Sequence, residues 1–170
     1  MKELAKTEWD GVKDGALPDL SSVPASLRRR LTPLEKAAIA VANETLMKAE
    51  GLFDPSNVKV VFASRWGEIG TTLKLICQMH EEGEMSPAGF SNSVHNASPG
   101  YFSLIKGLKT PYTAIAAGED TLEAGLVEAK CQEGIVLFVY AEEATPEMYV
   151  EHFEDVQHPH ALAILMDNDA

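Results

Sequence analysis

The sequence predicts an α/β domain, on three observations. Short, mostly apolar runs stand at 58–63, 112–117, 135–140 and 160–165, each of strand length, the first of them rich in β-branched residues. Before and between them lie stretches with apolar residues at helical spacing, opened by hydroxyl or proline signals. At 170 residues and 45% hydrophobic content, the chain has ample material for one core.

Residues 1–22 are polar, rich in Gly, Asp and Lys, and show no convincing period, so they read as a flexible arm or an irregular strap ahead of a domain at 23–170. Arg28, Arg29 and Arg30 follow; on an acidic protein they suit an anionic group, and equally a solvated loop paired with nearby carboxylates. Thr32, Pro33 and Glu35 combine a capping box with proline at the first helical position, predicting a helix that runs to about Glu50 and stops at Gly51. After the strand at 58–63, a helix starting at Ser64 or Gly67 carries Leu73, Ile76, Cys77 and His80 along one side.

A loop and short helix follow from Ser86. Ser98 then suits an N-cap and Pro99 the first helical position, with Tyr101, Leu104, Ile105 and Leu108 at helical spacing. Pro111 ends that helix by pushing Thr110 out of the α region. Tyr112, Thr113, Ala114, Ile115, Ala116 and Ala117 are apolar and uncharged, as in a strand buried on both faces. Gly118 permits a sharp turn, and Asp120 with Glu123 has capping-box spacing for a helix carrying Leu122, Leu126 and Ala129 on one side, so Glu119 falls at the strand-to-helix elbow. The runs at 135–140 and 160–165 are the last two strands; between them, 142–159 is an acidic and aromatic surface excursion.

A net charge of -12 argues against nucleic acid and anionic membranes as partners. No charged-then-apolar leader and no apolar run near 18 residues is present, so neither a signal peptide nor a transmembrane helix is expected. Cys77 and Cys131 sit among apolar neighbours within helical stretches, which predicts free, buried thiols in a reducing cytoplasm rather than a disulfide or a nucleophile. His158 and His160 alternate, but no partner is spaced for a tetrahedral metal site, and no metal or cofactor is expected. Ser91, Ser93, His95 and Asp120 supply the side-chain types of a hydrolase without its G-x-S-x-G elbow; capping and turn roles account for them.

Four motifs in order carry a family resemblance across residues 23–166. They are Ser26-Leu27-Arg28-Arg29-Arg30-Leu31, Phe62-Ala63-Ser64-Arg65-Trp66-Gly67-Glu68, Ser93-Val94-His95-Asn96-Ala97, and the run from Pro111 to Thr121. Together they resemble the thiolase-type β-ketoacyl synthases, in particular the short ketosynthase-like or chain-length-factor-like proteins of aryl-polyene and type II polyketide clusters. Asn96, Gly100, Gly107, Leu108 and Pro111 match the family pattern, and the position of the nucleophilic cysteine falls on Glu119.

The resemblance implies one half of the thiolase fold, a mixed β-sheet with helices on both faces. Such chains usually begin with a strand of the main sheet, and none is read in residues 1–22. It also implies a non-catalytic subunit that forms a heterodimer with an active ketosynthase, or a homodimer alone. The seam would be the strand at 112–117. Apart from the resemblance, charge alone makes an acidic acyl carrier protein a candidate for the anionic group at Arg28, Arg29 and Arg30, against the solvated-loop reading. A carboxylate at position 119 cannot form the acyl thioester, and a chain ending at Ala170 has no place for the histidine pair of the family's second half. Two other readings stand beside it: an acyltransferase or hydrolase acting on carrier-bound thioesters through Ser93, His95 or Glu119, and a self-associating structural protein.

Overall fold

In the computed structural model, which describes residues 1–153 and 157–170, the chain opens with a strand, β1 (Lys2–Asp10), where the sequence reading expected an arm without regular structure. Thr7 and Trp9 point into the core while the alternate Lys6, Glu8 and Asp10 stay outside it. The period of two is therefore present, but its inward positions start with Ala5 and Thr7, too weakly apolar to stand out. This strand supplies the missing first strand of the sheet.

After a single helical turn, α1 (Ala25–Arg28), comes α2 (Pro33–Lys48), with the expected capping box in full: Glu35 N donates to Thr32 Oγ1 at 3.1 Å and Thr32 N to Glu35 Oε2 at 2.7 Å. Strand β2 (Lys59–Ala63) leads to α3 (Ile69–Glu82), which begins later than Ser64 or Gly67 because residues 64–68 make a tight turn. The short α4 (Pro87–Asn92) is capped by Ser86, and α5 (Ala97–Lys106) follows with Asn96, not Ser98, at its N-cap. Strand β3 (Tyr112–Ile115), α6 (Thr121–Cys131), β4 (Ile135–Glu142) and β5 (His160–Asp167) complete the chain. Of the excursion expected at 142–159, residues 147–152 form a 3-10 helix and residues 154–156 lie outside those described.

The five strands make one mixed sheet in the order β1-β5-β4-β2-β3. Strands β3, β2 and β4 run parallel; β5 is antiparallel to both β4 and β1. The central strands are apolar on both faces, as strands covered on both sides must be. Val60, Phe62, Leu137 and Val139 face the larger core under α2 and α5, while Val61, Ala63, Val136 and Phe138 face the smaller core under α6. β3 is different. It is an edge strand of four residues, half-buried at Thr113, Ala114 and Ile115 and exposed at Tyr112, so the expected burial on both faces is not found. Ala116 and Ala117 are exposed and lie beyond its end.

Gly125 sets how closely α6 approaches the sheet. A Cβ there would lie 2.7 Å from Phe138 Cε2 and 2.8 Å from Ala63 Cβ, closer than real contacts allow, and the second of these atoms is fixed to strand backbone. Gly125→Ala should therefore lower stability by about 1–3 kcal/mol in urea denaturation, although alanine alone favours a helix over glycine by ~1 kcal/mol. Equal or increased stability would contradict this seating of the helix.

Candidate functional site

Three parallel strands deliver their carboxyl ends to one side of the sheet, where α/β folds form binding clefts. There, Glu142 at the end of β4 organises the turn after β2. It is 1% exposed, and its carboxylate accepts bonds from Arg65 N, from Ser64 Oγ at 3.1 Å and from Trp66 N at 3.3 Å. Ser64 Oγ in turn accepts from Gly67 N at 2.8 Å. The Ser64–Glu68 segment of the sequence motif is thus wrapped around a buried acid, a partner that the motif does not reveal.

Gly67 has φ +54°, and a Cβ on it would stand 2.6 Å from His95 Nδ1. Only glycine meets both conditions. The His95 ring also packs against Phe62, and its Nε2 lies 3.1 Å from the carbonyl oxygen of Ile115. His95 therefore ties the turn before α5 to the end of β3 and to the turn after β2.

Glu119 sits in a 3-10 turn, residues 118–120, between β3 and α6, with its side chain 83% exposed. The expected cap from Asp120 and Glu123 is absent. Thr121 holds the elbow instead, its Oγ1 accepting from Ala117 N at 2.9 Å and donating to the Gly118 carbonyl at 2.7 Å. The Arg65 guanidinium comes within 3.7 Å of Glu119 Oε1 and lies 4.9 Å from the centre of the Trp66 ring. Trp66 stacks on Phe153 at 4.3 Å, and Phe153 lies 5.5 Å from Tyr149. Arg65, Trp66 and this aromatic stack were not singled out from sequence; the signal for Arg65 and Trp66 was their place in the 62–68 motif, and for Tyr149 and Phe153 the aromatic character of the 142–159 excursion. Chemically, the elbow presents a solvated carboxylate beside a cation, a pair that water and salt screen strongly. It does not present a thiolate.

The serines are used locally. Ser91 Oγ donates to the Pro87 carbonyl and Ser93 Oγ to the Phe90 carbonyl, each at 2.9 Å, so the structure does not assemble them with His95 into a hydrolytic set. Arg28 reaches the Leu20 carbonyl at 3.2 Å and is half-buried, whereas Arg29 and Arg30 are exposed. Both cysteines are free, but Cys77 is half-buried and Cys131, at the last turn of α6, is exposed, contrary to the expected burial. His158 precedes β5 and pairs with Asp10 Oδ2 at 3.3 Å; His160 Nδ1 contacts the His158 carbonyl at 2.8 Å. Among the described residues, no group of three or more His, Cys, Asp and Glu is placed to hold a metal, and no helix is long and apolar enough to cross a membrane.

Comparison with curated proteins finds no match. Among solved structures, a chain of the complex of the ketosynthase ApeO with its chain length factor ApeC from Xenorhabdus doucetiae gives a TM-score of 0.77 at 25% identity, covering 89% of this chain and 64% of that one. A β-ketoacyl synthase from Burkholderia phymatum gives 0.71 at 14% identity, covering 92% and 47%. AntDE:AntF, a type II acyl carrier protein in complex with its ketosynthase, gives 0.68 at 16% identity, covering 95% and 51%. The last two likenesses speak to fold alone. This chain thus spans 64% of the first of these chains and about half of the other two. The sequence model of the β-ketoacyl synthase N-terminal domain matches residues 3–170, nearly the whole chain including β1. The chain belongs to the β-ketoacyl synthase family, in its N-terminal domain.

Proposed function

We propose that this protein is a non-catalytic, chain-length-factor-like subunit that pairs with an active β-ketoacyl synthase in the cytoplasm. The pathway class is polyketide, aryl-polyene or fatty-acid-type biosynthesis, with the growing chain held on acyl carrier protein. The observation that carries the reading is Glu119. It lies in the elbow between β3 and α6; on the resemblance of the run from Asn96 to Glu119 to the family pattern, this elbow is the place of the nucleophilic cysteine, and a carboxylate there does not form the acyl thioester. The likeness to a ketosynthase–chain length factor complex at 25% identity supports the same reading.

The seam with the synthase is β3, pairing antiparallel with its counterpart across a two-fold axis, with residues 112–117 contributing. The exposed Arg29 and Arg30, with Arg28 beside them, are the surface offered to the acidic carrier protein. The hydrolase reading has less support, because the Ser91 and Ser93 hydroxyls are engaged with the carbonyls of their own helix.

The test is chemical. The purified chain should neither take an acyl group from an acyl carrier donor nor condense malonyl units, as followed by intact-protein mass spectrometry and product analysis. Glu119→Cys should not restore condensation in the purified chain, since a thiol supplies the nucleophile alone and not the groups that drive decarboxylation. Ketoacyl product from the wild-type chain alone would overturn the proposal.

A further inference from the structure

Glu68, the last residue of the 62–68 motif, has no part in the partner reading, yet it joins the roots of two helices. It is 3% exposed. Its Oε1 accepts from Thr32 Oγ1 at 2.8 Å, and Thr32 is the N-cap of α2. Its Oε2 lies 3.1 Å from Thr71 Oγ1, in the first turn of α3. Its carbonyl accepts from Thr72 N at 2.8 Å, and it is itself the N-cap of α3. Gly70 N, in the same turn, donates to Glu143 Oε1 at 2.6 Å.

Little else holds α3. Its apolar positions are gathered on one side, but Leu75 is its one buried residue, Ile76 and Met79 are exposed, and it packs chiefly on the short α4. The polar ties of α3 are thus concentrated at its root, whereas α4 is tied separately through Asn92, which donates to the Arg30 carbonyl at 3.1 Å and accepts from the Tyr101 hydroxyl at 3.0 Å.

The charges facing Glu68 are unfavourable to a carboxylate. Glu35 faces it from α2 and Glu143 from the end of β4; Glu142 stands next to Glu143, and Lys36 acts on Glu35. Burial, reinforced by Glu35 and Glu143 and opposed by the hydroxyls of Thr32 and Thr71, pushes the carboxyl up to about 8. A proton on Oε2 is well placed, because Thr71 Oγ1 accepts a hydrogen bond as readily as it donates one.

We propose that Glu68 is a proton-operated latch: protonated, it fixes α3 to the root of α2; ionised between Glu35 and Glu143, it lets α3 open as a unit. The sign follows from linkage. The closed form keeps its proton up to about pH 8, whereas the opened form titrates at the ordinary value of 4.5. Opening therefore releases one proton between those limits, and the opening constant rises about tenfold per pH unit until it levels off near pH 8. α3 is firmly held on the acid side and progressively released on the alkaline side.

The test is hydrogen exchange of the α3 amides, residues 69–82, from pH 6 to 9, corrected for intrinsic exchange rates, with the β4 amides as internal reference. The wild type should show the tenfold-per-unit rise and a plateau near pH 8. Glu68→Gln should flatten the dependence. Glu143→Gln removes one like charge and should move the plateau to lower pH, which decides the matter if Glu68→Gln fails to fold. A pH-independent opening constant in the wild type, the same slope in Glu68→Gln, or an unmoved plateau in Glu143→Gln overturns the latch.

Discussion

Glu142→Ala should lower the unfolding free energy by at least about 3 kcal/mol, one of the two largest effects expected of a single substitution. The buried carboxylate at this position receives three hydrogen bonds, from Ser64 Oγ and from the partly buried amides of Arg65 and Trp66. Alanine leaves all three donors without that acceptor, and each orphaned buried group costs roughly 1–3 kcal/mol where water does not replace the lost partner. One term works the other way. Glu142 raises the proton affinity of Glu143 by repulsion, and its removal relieves that repulsion. The relief involves one neighbouring carboxylate, against three lost bonds, so the balance is destabilising. Glu142→Gln should cost less but not be neutral, because one of its two terminal atoms becomes a donor aimed at donors. Urea denaturation of the two variants checks this; a loss below about 1 kcal/mol for Glu142→Ala would contradict the role given to the buried acid.

The second large effect concerns association. In the β2–β3 ladder, Val60 N donates to the Pro111 carbonyl at 3.4 Å and Ser64 N to the Ile115 carbonyl at 3.2 Å. Strand residues alternate in the direction of their backbone groups, so residue 113 also faces β2 while Tyr112 and Ala114 turn theirs outward. Ala114→Pro removes an outward amide and leaves the inner ladder in place, a substitution that an edge strand tolerates. It should weaken association with the synthase roughly a hundredfold, about 2.7 kcal/mol, while lowering the stability of the isolated chain far less. Ile115 is a poorer probe than its central place suggests. Its side chain packs into the core under α6, so a lysine there would damage the fold before it tested the seam. Unchanged affinity of Ala114→Pro in calorimetry would remove β3 from the interface.

Those two sites also show what was legible in the sequence. The capping box of α2 was read correctly because all of its partners lie within four residues. The strands β2, β4 and β5 were placed within two residues of their ends because sheet interiors demand unbroken apolar runs. β1 was missed because an edge strand with one polar side carries only a weak alternation. The N-cap of α5 moved from Ser98 to Asn96, since the turn around His95 starts the helix earlier than its proline suggests. The elbow was located correctly, but its fastening by Thr121 rather than Asp120 depends on turn geometry that spacing does not reveal. The links from Glu142 to residues 64–66 and from Glu68 to Thr32 join positions 77 or so and 36 residues apart, and no local pattern encodes such pairs.

The central claim is that this chain works as the partner of a ketosynthase, and sedimentation velocity tests it most directly. At micromolar concentration, the chain mixed with its candidate β-ketoacyl synthase should sediment as a one-to-one heterodimer, with a homodimer allowed when it is alone, consistent with an interface of more than about 1,000 Å². A well-behaved monomer, unchanged by addition of the synthase, would contradict the account.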